Sequence, residues 1–266
     1  MLQLFRESLK PWFLYFRSPE YREWLRIKNR CKKQPPRTPF KISVAGFTLH
    51  AHDSASLLDQ YEAVFRRRCY DFDTEQESPL IYCCGANMGL DILFLKKRFP
   101  RAKIRAFEAD EKIAAVLRKN MDENAFSDVE VTQAAVWTHD TELFFEPDGQ
   151  QGGKLAERGT AVKAVSLPDL LRKEKSIDLL IMDIEGAEYE VLSACKPQLQ
   201  NVQRLFVEWH GRAEKMQHLD ELLVLLQLAG FRYRLQNHLP DAPFRNAIVE
   251  NGFDAMVDVY AEKMKR

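Results

Sequence analysis

At 266 residues, with 45% hydrophobic side chains, the chain can bury a sizeable core as one large α/β domain, alone or with an extension. Thirty-nine Lys and Arg balance thirty-nine Asp and Glu, so the total charge gives no pointer to nucleic acid and no nucleic-acid partner is expected; residues 1–40 nevertheless carry a net +7. No run of about 18 apolar residues is present to span a membrane, charges and a proline interrupt the N-terminus where a signal peptide would need its apolar stretch, and the five cysteines (31, 69, 83, 84 and 195) show no metal-ligand spacing, which together point to reduced thiols in the cytoplasm.

Residues 1–33 read as two amphipathic helices. Leu2, Phe5, Leu9, Trp12, Phe13 and Phe16 fall near one face of the first, and Ser18-Pro19-Glu20 starts the second with an N-cap serine and a proline at the first helical position. Gln34 to Pro39 breaks the chain, so residues 1–40 form a basic, aromatic, helical extension ahead of a domain over 41–266. Contact with an anionic membrane surface or a partner protein is the functional expectation for this extension, and a helical cap packed on the core is the structural one. Lys41 to Leu49 reads as a strand or hairpin and Ser54 to Arg68 as a helix. Strands at about 80–84, 103–108 and 129–136 then alternate with helices at about 88–98 and 110–124. Further strands are expected at 177–183, 205–208, 231–235 and 255–260, with helices over 187–195 and 214–229, the latter closed by Gly230. Strands alternating with helices mean a doubly wound, mostly parallel sheet covered on both faces.

The first of these strands, Leu80-Ile81-Tyr82-Cys83-Cys84, runs straight into Gly85-Ala86-Asn87-Met88-Gly89, and the second ends on Phe107-Glu108. Glycines after a buried strand let a backbone approach a ligand, and a helix start points free N–H groups at it. A carboxylate nineteen residues beyond Gly89, at the tip of the neighbouring strand, suits the two hydroxyls of a ribose. The spacing Gly-x-Asn-x-Gly differs from the G-x-G-x-x-G of dinucleotide sites and matches that of S-adenosylmethionine (SAM) methyltransferases, although an ordinary strand-to-helix turn has the same residues.

Ligands of doubly wound sheets bind at the C-terminal ends of strands. Those ends offer, in turn, the Gly85–Gly89 loop, Glu108, the small pair Ala134-Ala135 that lets an adenine lie flat, Asp183-Ile184-Glu185-Gly186-Ala187-Glu188, and Glu208-Trp209-His210. Asp183 emerges from an apolar run, where a carboxylate is costly unless it is paired or serves a reaction. The bland alternative for Asp183 is a helix cap, for Glu188 a first-turn partner of the helix dipole, and for His210 a solvated loop position. Asp183 and His210 are the candidates for a general base, with Glu185 beside them; Asp183, Glu208 and His210 are also a plausible divalent-metal set, though no metal is assigned. Gly149 to Gly153 is expected to be a loop over the site. Arg66, Arg67, Arg68 and Arg212 have the charge for an anionic substrate and, equally, for surface solvation, and His50 and His52 read as surface.

These residues resemble the FkbM-type SAM-dependent methyltransferases, whose members carry D-x-G-A-N-x-G, F-E-P, K-x-D-x-E-G-x-E and E-x-H in that order. The counterparts here are Cys83 to Gly89, Phe107-Glu108-Ala109, Ile181 to Glu188 and Glu208-Trp209-His210, over roughly residues 40–260. The resemblance implies a seven-stranded class I methyltransferase sheet with its last strand antiparallel, SAM as cofactor, and a hydroxyl acceptor on a sugar, lipid or small metabolite. It implies Cys83, Gly85, Ala86, Asn87, Gly89, Glu108, Ala135 and Asp183 as the cofactor-binding set. Cys83 stands where the family has an acid that organises the methionine end of SAM, Ile181 where it has a lysine, and Ala109 where it has a proline. The loss at Cys83, with the basic N-terminus, also raises a different expectation: a non-catalytic SAM-fold protein that binds a partner. A dehydrogenase would need glycines where Asn87 and Leu90 sit.

Overall fold

The computed structural model describes residues 17–147, 153–155, 159–212, 215–238 and 253–264. The first expected helix (1–16) and most of the expected loop at 149–153 lie outside these residues.

Helix α1 (Pro19–Cys31) starts as its sequence dictates, with the Ser18 hydroxyl accepting the Tyr21 N–H at 3.1 Å. Its buried residues are Ile27 and Cys31. Strands β1 (Phe40–Val44) and β2 (Phe47–Ala51) form an antiparallel hairpin. Its two-residue turn, Ala45-Gly46, has positive φ at both positions (55° and 94°), the mirror-image turn that matches strand twist. Asp53 caps α2 (Ser54–Tyr61), whose chain continues as a single π turn, Glu62–Arg66, instead of the uninterrupted α-helix expected to Arg68. These elements share one apolar cluster: Ile27 and Cys31 of α1 pack with Ile42, Leu49, Leu57 and Tyr61, and with Met88, Leu90 and Leu93 next along the chain.

From β3 (Leu80–Cys84) the chain passes through the glycine loop to α3 (Leu90–Arg98), β4 (Lys103–Glu108), α4 (Glu111–Glu123) and β5 (Val129–Gln133). The strand expected to reach 136 is interrupted at Ala134, whose N–H bonds back to Glu108 and Thr132. The next strand, β6 (Ala135–Trp137), leaves the main sheet and pairs with β9 (Thr160–Ser166). With β7 (Thr141–Pro147) and β8 (Gly153–Leu155) it makes a separate four-stranded sheet that sequence periodicity does not disclose. Then come α5 (Leu167–Arg172), β10 (Leu179–Met182), α6 (Glu188–Ala194), β11 (Arg204–Gly211), α7 (Leu219–Leu228), β12 (Phe231–Asn237) and β13 (Ala255–Lys263). Helix α7 begins at Leu219, five residues later than expected, and ends before Gly230, which takes φ +85° as a C′ glycine.

The main sheet has seven strands in the order β12-β13-β11-β10-β3-β4-β5. Five neighbours from β11 to β5 run parallel, and β13 is antiparallel to both β11 and β12, as expected of the last strand. Strand order reverses between β3 and β10, and that is where such sheets bind ligands. Adjacent Cys83 and Cys84 point to opposite faces, one into the layer with Ile92, Leu95 and Leu117, the other into the layer with Val191, Leu222 and Leu226.

Because Ile27 is fully buried between α1 and the hairpin, Ile27→Ala should cost about 2–5 kcal/mol in urea unfolding. A loss below about 0.5 kcal/mol would show that α1 does not belong to the core.

Candidate active site

The turn after β3 leaves no room for a side chain. Gly85 has φ +84°, and a Cβ there would lie 1.8 Å from the Asp183 carbonyl oxygen. The N–H groups of Gly85 and Ala86 both donate to the Phe107 carbonyl, at 3.0 and 2.9 Å. Asn87 takes the left-handed region (φ 47°), which a short amide tolerates, and its own Oδ1 accepts the Met88 N–H. Gly89 serves packing: a Cβ would come within 2.6 Å of Leu117 on α4.

Glu108 is buried at the tip of β4. Its carboxylate accepts the Asn87 N–H and the Asp110 N–H, each at 2.9 Å, and so ties the glycine loop to the start of α4. Burial pushes its pKa up to about 7 against the pull of those amides.

The end of β10 carries the acidic block. Glu185 (φ 58°) and Gly186 (φ 99°) turn the chain in consecutive left-handed positions. Glu188, 1% exposed, holds that turn from beneath: its Oε1 accepts the N–H groups of Gly186 at 2.9 Å and Ile184 at 3.2 Å. The same oxygen lies 3.1 Å from His210 Nδ1. Sequence position alone assigns Glu188 to a helix dipole; it is instead the residue that orients His210. A signal for this is present in the sequence, since its carboxylate falls in the block most typical of the resembled family.

His210 lies one residue before the end of β11 with its ring against Phe253, centroids 4.6 Å apart, and Arg212 lies over that phenyl ring at 4.5 Å. Burial pulls the imidazole pKa down, but Glu188, then Asp183 and Glu185, override it and raise it to about 10. The ring is therefore an imidazolium at neutral pH. Burial and the charge of Glu208 push Asp183 well above the carboxylate range, with Glu185 and Glu188 adding to the rise and His210 opposing it. Glu208 is raised by burial and Asp258, against the pull of His210 and His238. Asp183, Glu185 and His210 each present a ligand atom within 4.8 Å of the others, so a cation fits there geometrically; the protonated ring would have to lose its proton first.

One cavity of about 410 Å³ joins these parts, within the usual size range for small-molecule sites. Gly85, Ala86, Asn87, Glu108, Ala134, Ala135, Asp183, Glu185, Glu208 and His210 all line it; Cys83 and Gly89 do not. Cys83 is fully buried behind the loop. Of the arginines, Arg67 reaches the cavity, while Arg66 pairs with Glu62 and Arg68 with Asp71. His50 and His52, read as surface, are instead half-buried and pair with Glu123 and Asp53. Seven carboxylates line the cavity, at 59, 62, 91, 108, 183, 185 and 208, against the cationic or cationisable groups Arg67, His210 and His238. Burial moves Glu108, Asp183 and Glu208 towards their neutral forms, so the negative excess is smaller than the count of carboxylates, and a cation entering the cavity would favour their ionised forms.

A parallel sheet with one antiparallel strand inserted, a side-chain-free loop at the switch point and an acid on the next strand define a class I SAM-dependent methyltransferase fold. The methyltransferase FkbM domain matches residues 84–233, and the chain belongs to that family. Methyltransferase sdnD of Sordaria araneosa is 31% identical over 194 residues, covering 58% of this chain and 75% of that protein. Methyltransferase 1 of Beauveria bassiana (strain ARSEF 2860) is 24% identical over 176 residues, covering 55% of this chain and 71% of that protein. The crystal structure of methyltransferase FkbM from Methylobacillus flagellatus KT superposes with a TM-score of 0.50 at 17% identity; the match covers 75% of this chain and 48% of that one. The cofactor is S-adenosyl-L-methionine, and the cavity suits it in size, in charge and in the bare loop beside Glu108.

Glu188→Gln should lower the His210 pKa from about 10, read from the imidazole nitrogen shifts. A ring whose folded pKa is raised contributes stability below pH 6.5 and loses it as pH rises through about 10, so the variant should also lose part of the alkaline decline in stability. A His210 pKa unmoved in the variant would refute the pairing.

Proposed function

We propose that the protein transfers a methyl group from SAM to a hydroxyl of a sugar, lipid or small metabolite, with Asp183 as proton acceptor. The observation that carries this reading is Asp183 itself: a carboxylate at the switch point, on the wall of a negative cavity, one strand away from a charged imidazolium.

When bound, SAM would supply an activated methyl on its sulfonium, the new oxygen–carbon bond forming as the carbon–sulfur bond breaks and S-adenosylhomocysteine leaves. The chain's own residues provide the setting. Ala134 and Ala135 give a flat wall for a purine, and Glu108 keeps lone pairs free beyond its two amide bonds to accept from ribose hydroxyls. A neutral alcohol is a weak nucleophile and must lose its proton to a positioned base. His210, already protonated, is not that base. Its positive charge, fixed by Glu188, instead favours the ionised form of Asp183 against burial and the surrounding acids. Asp183 takes the hydroxyl proton in this reading once the imidazolium and a bound sulfonium together hold it ionised against burial.

The wall formed by Arg67, Tyr70, His238, Phe253 and Met256 receives the acceptor in this reading. Its mix of apolar and hydrogen-bonding groups suits a polyol or an amphiphile. Five free cysteines fit action in a reducing cytoplasm, and no described helix is long and apolar enough to cross a membrane.

Asp183→Asn should reduce methyl transfer from labelled SAM to a hydroxyl acceptor by about 10²–10⁴-fold. Affinity for S-adenosylhomocysteine, followed by calorimetry, should stay within about threefold. Equal loss of binding would reassign Asp183 to the cofactor alone, and an undiminished rate would remove it from the reaction. Added chelator should leave the wild-type rate unchanged, whereas loss reversed by a divalent cation would make Asp183, Glu185 and His210 metal ligands instead.

A further inference from the structure

The strand ends along the sheet set out the cavity as a row: Ala134-Ala135 after β5, Glu108 on β4, the Gly85 loop after β3, Asp183 on β10 and Glu208 on β11. Neighbouring strands lie about 4.8 Å apart. A purine and ribose placed at β5 and β4 leave the rest of the ligand against the Gly85 loop and the start of α3. The carboxylate at that place is Asp91, in the first turn of α3. It lines the cavity and is 9% exposed. Its Oδ1 is buried and completes no hydrogen bond to any described residue. The Cys83 thiol and first-turn amides stabilise its charge, and burial still raises its pKa to about 6. One oxygen of a carboxylate that lines the cavity is thus left without a donor inside the protein.

The methyl-transfer chemistry makes no other use of this group. A buried carboxylate oxygen without a donor costs stability unless a ligand supplies one. The sulfonium cannot, because it has no N–H. The α-ammonium of the amino-acid end can, with three N–H donors and a positive charge. Cys83 is behind the loop with its thiol against Asp91, so this chain carries the acid on the helix while the strand end holds a neutral side chain.

We infer that Asp91 binds the α-ammonium of the cofactor's amino-acid end, doing from the first turn of α3 what an acid at position 83 would do from the end of β3. The inference rests on the SAM reading of the cavity. It accounts for a cofactor site that keeps an acid beside the amino-acid end although Cys83 is neutral and does not line the cavity.

Two ligands separate the ends of the cofactor. S-adenosylhomocysteine has the ammonium; 5′-methylthioadenosine has the nucleoside and the thioether without it. Calorimetric titration of wild type and Asp91→Asn should show at least about a tenfold loss of S-adenosylhomocysteine affinity. Affinity for 5′-methylthioadenosine should stay within about twofold. The conservative variant Asp91→Glu, which keeps the charge, should retain more S-adenosylhomocysteine affinity than Asp91→Asn. Unchanged S-adenosylhomocysteine affinity in Asp91→Asn, or a parallel loss of both ligands, would overturn the role of Asp91 while leaving the SAM reading intact. Wild-type protein that binds neither ligand would overturn that reading and this inference together.

Discussion

The site depends on a close approach between two backbones. At Gly85 the chain leaves β3 so near the carbonyl of Asp183 that a single added carbon would overlap it. Only glycine permits this contact, and only a positive φ turns the chain away afterwards. The contact sets the ends of β3 and β10 side by side at the point where strand order reverses. The same loop donates two amides to Phe107 and a third to Glu108, so β4 is drawn into register with it. Three strand ends are thus positioned by one turn, with no side chain of the turn spent on the task.

Charge is the second layer. Carboxylates crowd the cavity, and burial raises the proton affinity of several of them. Such a cluster is costly in an empty interior. Two devices reduce the cost here. Glu188 lies beneath the cluster and holds His210 in its charged form, which offsets the neighbouring acids. The remaining negative charge faces the cavity, where a cationic ligand is stabilised and an anionic one is not. That asymmetry favours a sulfonium donor over the pyrophosphate of a dinucleotide.

Much of this is legible in the amino-acid sequence. Alternating apolar strands and amphipathic helices announce the sheet, because buried parallel strands read as continuous apolar runs. The glycine loop, Glu108, Asp183 and His210 are recognisable because each ends such a run on a small or ionisable residue. Three things are not legible there. Strands β7, β8 and β9 lie outside the main sheet, and β9 mixes exposed, half-buried and buried positions with no clean period. Glu188 looks like a first-turn helix residue, since its bond to His210 spans 22 positions of sequence. Asp91 looks like an ordinary start to a helix, because what singles it out is an unsatisfied oxygen against a cavity wall, and only packing reveals that. Cys83 stands out in the sequence as a missing acid; in the fold its thiol lies against Asp91 in the first turn of α3.

Catalysis in this scheme requires one arrangement: a nucleoside held by Glu108, with the reactive sulfur turned towards Asp183 and the acceptor entering from the far wall. Crystals grown with S-adenosylhomocysteine test it most directly. Both ribose hydroxyls should lie on the Glu108 carboxylate, the purine against Ala134 and Ala135, and the thioether sulfur facing Asp183. A ligand bound with its ribose away from Glu108, or its sulfur turned from Asp183, would contradict it.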